Sequence, residues 1–169
     1  MSGITLDGRA ARAALWGGLV GGGLDITYAF VVYGLIGVTP VQILHAIASG
    51  WLGKAAYQGG LSTAALGLVS HLFITVVAAT LYVLASQRVE VLTRRPLLCG
   101  AVFGLGIFIV MNYVVVPLSA AIVGPPKGMF YVSGVLVHMF LIGVPIALFA
   151  RQGLLASRGD RVTSLVPPV

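Results

Sequence analysis

Residues 61–85 read LSTAALGLVSHLFITVVAATLYVLA. The run contains no Asp, Glu, Lys or Arg, and its one imidazole is His71. A helix needs about 20 mostly apolar residues to cross the hydrocarbon core of a bilayer. This run is long enough, and its apolar residues are continuous rather than alternating. Continuity argues for a helix and against the alternating strands of an outer-membrane barrel. A helix also pairs its backbone N–H and C=O groups internally, as lipid requires.

Three more stretches have the same character, over about 13–38, 96–117 and 130–150. They number the spans one, three and four, with 61–85 as span two. The whole chain agrees with them. Of its 169 residues 59% are hydrophobic and 8% charged, and its mean hydropathy is +1.05. A soluble domain carries roughly a quarter charged residues, so a soluble fold is excluded. Disordered chains are poor in apolar residues, which excludes disorder. One cysteine, Cys99, cannot build a disulfide framework and is read as a packing residue. The expected fold is a single all-α domain over 1–150, a four-helix transmembrane bundle. Residues 151–169, ending Val166-Pro167-Pro168-Val169, read as a flexible cytoplasmic tail.

Charge sets the expected orientation. Arg9 and Arg12 precede span one; Arg88, Arg94 and Arg95 lie between spans two and three; Arg151, Arg158 and Arg161 follow span four. Only Lys54 and Lys127 fall on the other side, so eight of the ten basic residues share one face. The positive-inside rule makes that face cytoplasmic, with both termini inside. The net charge of +6 follows from this topology. It does not indicate nucleic-acid binding, because the basic residues are scattered and not interleaved with aromatics. Span one is read as retained rather than cleaved: it is long, carries Asp25 and ends without a small-x-small site.

Residues 40–58 are longer than a turn needs. Thr39-Pro40 can start a helix, and Leu44, Ile47, Ala48, Trp51, Leu52 and Ala55 recur at helical spacing. Gln42, Ser49, Lys54 and Gln58 lie mostly elsewhere around it. The pattern predicts an amphipathic interfacial helix with Trp51 and Tyr57 as belt residues. It is expected to dock on the bundle as a linker; the alternative is a lid or re-entrant plug over a central site.

Two patterns recur. Gly17-x-x-x-Gly21-x-Gly23 matches Gly100-x-x-x-Gly104-x-Gly106, and Gly67-x-x-x-His71-x-Phe73 matches Gly134-x-x-x-His138-x-Phe140. Matching spans run in the same direction, which suggests a parallel 2+2 repeat about an axis along the membrane normal. Lipid is as apolar as leucine, so small residues that let backbones approach must hold such helices together. Gly17, Gly18, Gly21, Gly22, Gly100 and Gly104 are the expected packing residues.

Asp25 is the most informative residue. A carboxylate at mid-membrane costs at least about 2.5–3.5 kcal/mol and is functional by default. Counting from the ends of their spans, His71 and His138 lie roughly 13 Å deep and Asp25 roughly 18 Å deep. Tyr28 and Asn112 fall within about a turn of that level. Asp25, Tyr28, His71, Asn112 and His138 are therefore expected to form one intramembrane polar cluster. It reads either as a proton relay or proton-coupled solute site, or as interhelical hydrogen bonding alone. A further alternative makes His71 and His138 the axial ligands of a b-type haem. A copper or zinc site with Met111 or Met139 is weaker, because no i, i+4 histidine pair exists. No cofactor is otherwise expected. No Walker loop, dinucleotide fingerprint or serine nucleophile is present, so no catalytic residue is assigned.

The glycine-rich first span, His71-Leu72-Phe73, Gly100-x-x-x-Gly104, Asn112 followed by Pro117-Leu118, and Pro125-Pro126 together resemble the YagU-like group of small bacterial inner-membrane proteins. The resemblance covers roughly residues 14 to 150. It implies a bacterial inner-membrane four-helix protein and brings no catalytic residues. The chain departs from the group at Asn112, where a histidine is usual, and over 39–58. Four helices seldom enclose a solute pathway, so a homo-oligomer or a partner in a membrane complex is expected. The functional readings are thus a small proton-linked transport or channel protein, a non-catalytic accessory subunit, or a haem protein.

Overall fold

The computed structural model describes residues 6–124 and 126–164, with side chains as far as 156. The tail residues Val166-Pro167-Pro168-Val169 lie outside the described residues. Among the described residues four helices are long and apolar enough to cross a membrane: α1 (Gly8–Gly34), α3 (Gly60–Ser86), α5 (Pro96–Leu118) and α6 (Met129–Ala156). The helical backbone of α6 continues to Ser164, past the predicted end of span four. A short helix, α2 (Pro40–Leu52), follows α1, and a one-turn helix, α4 (Val91–Arg94), joins α3 to α5. The chain is a multi-pass membrane protein built as an all-α four-helix bundle.

Local chemistry explains the boundaries. α1 starts ahead of its apolar run because the Asp7 carboxylate accepts from the N–H groups of Arg9 and Ala10, at 3.1 and 2.8 Å. This is side-chain capping of otherwise unpaired helical donors. α1 stops at Gly34, and Gly37 turns the chain with φ +84°, a conformation that favours glycine. α2 begins with a full capping box: Gln42 N–H donates to Thr39 Oγ1, and Thr39 N–H donates to Gln42 Oε1.

Packing then follows the glycines. Gly18 and Gly22 seat α1 on Thr75 and Val76 of α3; a Cβ at Gly18 would come 2.5 Å from Val76 Cα. Gly17 and Gly21 seat α1 on Ile146 and Ile142 of α6. Gly100 and Gly104 of α5 meet Gly143 and His138 of α6. Gly23 and Gly106 have nothing near them, so in both motifs the first two glycines pack and the third does not. α1 and α6 are the central pair, with α3 resting mainly on α1 and α5 on α6.

The bundle is solid at one end and hollow at the other. At the end bearing the termini, Ala10, Ala13 and Ala14 of α1 pack with Ala79, Tyr82 and Val83 of α3 and with Ile146, Ala147 and Ala150 of α6. Cys99 packs against this core. Arg9 Nη1 ties the same end together by donating to the Ala156 carbonyl, 2.6 Å away. Toward the other end, α3 and α5 are separated by a cavity of about 1180 Å³.

Candidate functional site: a carboxylate and two histidines under a cavity

Three helices deliver the site. Asp25 comes from α1, one turn beyond the Gly18–Gly22 contact. His71 comes from α3, and its Nε2 lies 3.6 Å from Asp25 Oδ2. His138 comes from α6, and its Nδ1 lies 3.8 Å from Asp25 Oδ1. The side chains are 15%, 15% and 19% exposed, so all three keep an edge open. All three line the cavity.

Each imidazole is aimed by its surroundings. His71 Nε2–H donates across the helix interface to the Gly22 carbonyl, 3.0 Å away. His138 Nδ1–H donates to the Gly134 carbonyl one turn back, at 2.9 Å. A carbonyl can only accept, so both protons sit on the nitrogens that face Asp25. The His138 ring also meets Phe108 edge-on, with centroids 5.3 Å apart. Its backbone is clamped where the Gly104 surface presses on the His138 carbonyl. Both carboxylate distances exceed a hydrogen bond. A modest rotation of either ring would exchange its carbonyl partner for the carboxylate.

The other expected members stand differently. Asn112 turns its amide to the Phe108 carbonyl of its own helix, 2.9 Å away, and Met111 lines the cavity in its place. Tyr28 is absent from the cavity wall, while Tyr33, stacked on Phe130 at 5.0 Å, belongs to it. The π turns account for the azimuth on α5. Met111–Val115 and His138–Gly143 both have the wider π form. Each lies just ahead of a proline, Pro117 or Pro145. A proline ring clashes with the carbonyl four residues back, here Tyr113 and Leu141, and a wider turn relieves that clash. Such turns are frequent at functional sites.

α2 forms one wall and the cover. It crosses α3 where the Leu44 backbone rides over Gly67. His45, Ala48 and Ser49 are its buried residues, with His45 Nε2 donating to the Gly60 carbonyl at 2.7 Å. The face against α3 is thus set by small and polar residues, since only small ones permit the close crossing at Gly67. Ile43, Ala46, Ile47 and Gly50 face the cavity instead. Trp51 is 67% exposed, and its indole N–H reaches Ser70 Oγ at 3.0 Å. Ala120 N–H donates to the Gly50 carbonyl at 3.0 Å, joining α2 to the segment after α5. The helix therefore docks on the bundle and covers the cavity at once.

Sequence reasoning missed Tyr33, His45 and Ser70. Ser70 adjoins His71 and serves as the acceptor for Trp51. Among the described residues no set of three or more His, Cys, Asp and Glu has the arrangement of a metal site. The His71 and His138 nitrogens face one carboxylate and are engaged by carbonyls. The imidazoles are thus held by backbone carbonyls, with the Asp25 carboxylate 3.6 and 3.8 Å from their nitrogens. No family model, curated protein or solved structure matches the chain.

Proposed function

We propose that this protein is a small proton-linked transport or channel protein of the bacterial inner membrane, acting as an oligomer through the Asp25–His71–His138 triad. One observation carries the reading: a carboxylate and two imidazoles from three helices long and apolar enough to cross a membrane meet and open onto a cavity. A carboxylate in such a place is expensive, and a purely structural tie could be made more cheaply by neutral groups. The titratable groups around Asp25 are His71 from α3 and His138 from α6, with Tyr28 and Tyr33 on its own helix. α5 and α2 bring Ile107, Met111 and Ile47 to the cavity rather than a charge. An imidazole that takes a second proton at its far ring nitrogen can hand the proton on its Asp25-facing nitrogen to the carboxylate after a ring rotation, because the distances are already under 4 Å. The distribution of arginines supports cytoplasmic termini, and the YagU-like resemblance supports the bacterial inner membrane.

The test uses the full chain in liposomes containing a pH-sensitive dye, with a potassium diffusion potential as the driving force. Wild type should carry protons, and Asp25→Asn should lower the flux by about tenfold or more while inserting and eluting as wild type does. Equal flux through the two proteins would sink the proposal.

A further inference from the structure

The cavity has one sign of charge and one kind of wall. Among the described residues Asp25 is the only acidic one that lines it. Asp7 caps α1, and Glu90 pairs with Arg94 at 2.6 Å. Among the described residues no lysine or arginine lines the cavity. An anionic ligand would therefore meet a carboxylate and no countercharge. A fully apolar ligand would leave that carboxylate desolvated without recompense. The remaining wall is mostly aliphatic, with Tyr33, Trp51 and Tyr57 as its aromatic members, and aromatic faces attract cations. A volume of about 1180 Å³ is ample for a drug-sized molecule.

We infer that the cavity binds a lipophilic organic cation, such as a hydrophobic amine or quaternary onium, with its charge against Asp25 and its body against the aliphatic wall. The inference rests on the proposed role of the triad and names the ligand class for it. Proton and cation then compete for one carboxylate. Protonating His71 or His138 places a positive charge within 4 Å of Asp25 and expels the cation. This exclusive occupancy is what exchange of a proton for a cation needs.

The probe is radiolabelled tetraphenylphosphonium, with tetraphenylborate as an anion of the same shape, in equilibrium dialysis against the full chain in nanodiscs. Tetraphenylphosphonium should bind saturably and tetraphenylborate should not. Asp25→Asn should weaken binding by about tenfold or more, and Asp25→Glu should restore part of it. A second variant, Ile47→Trp, fills the cavity from α2 without touching the triad, and it should also weaken binding. In a Trp16→Phe background, Trp51 fluorescence should change as the cation binds. Equal binding of the anion, or unaltered binding by Asp25→Asn and Ile47→Trp, would overturn the inference and mark simple partition into apolar surface. The same preparations enter the proton-flux assay. Proton flux with no cation binding discards the ligand class and keeps the relay. Cation binding through Asp25 with no proton flux keeps the ligand site and discards the transport reading.

Discussion

A methyl group added at Gly104 has nowhere to go. It would run into the His138 carbonyl, which is backbone and cannot swing aside. Gly106, two residues on, faces open space. Gly104→Ala should therefore destabilise the bundle by about 1–3 kcal/mol, as overpacking does, while Gly106→Ala should stay within about 0.5 kcal/mol of wild type. Thermal unfolding in detergent separates the two, and equal midpoints would refute the clamp. The Gly104 variant should also lose proton flux, because the displaced carbonyl belongs to His138, which carries an imidazole nitrogen of the triad. At this scale much was legible. Depth counted along each span brought Asp25, His71 and His138 to one level, and the structure brings them within 4 Å. Depth alone does not give azimuth, however. Asn112 was placed on a regular helix, and the π turn at Met111–Val115 changes which neighbour faces the cavity. Glycine spacing likewise marked the packing stripes but could not say that Gly17 and Gly18 serve different partners.

α2 owes its position to a few bonds at its ends. The Thr39–Gln42 capping box fixes its start, and the Ala120-to-Gly50 hydrogen bond fixes its far side. Thr39→Ala removes the side-chain acceptor, at a cost of about 1 kcal/mol. Amide hydrogen exchange should then quicken by about fivefold over α2 and remain unchanged in the core of α3. Uniform acceleration throughout the chain would show that α2 is not an independent cover. The helix itself was legible from Thr39-Pro40 and the apolar spacing that follows. Its packed face was not. The expected apolar face ran through Leu44, Ile47, Ala48, Trp51, Leu52 and Ala55; of these Ala48 is buried, while Trp51 and Leu52 are exposed. In a membrane large apolar residues gain as much from lipid, so small and polar residues, His45, Ala48 and Ser49, are the buried ones on α2.

The whole molecule is asymmetric along its length, with a solid alanine-rich end beside the termini and a hollow end beneath α2. The four spans and their order could be read directly from hydropathy. The hollow could not, because it arises where α3 and α5 fail to pack, and no local pattern records a missing contact. Orientation is open to a direct check with single cysteines in a Cys99→Ser background. Lys127→Cys should react with an impermeant maleimide on intact spheroplasts, and Arg88→Cys only after permeabilisation. The reverse pattern would invert the topology. The central place of α6 has one more consequence, for the order of assembly at the ribosome. α1 and α3 can pair as soon as both have left the translocon, but α5 finds its main partner only in α6, which follows it. Until α6 inserts, Gly100 and Gly104 face lipid or the insertion machinery, and Asp25 has His71 alone for company. Nascent chains halted before residue 129 should therefore stay bound to insertases or be degraded, and insertion of α6 is the step that completes the bundle.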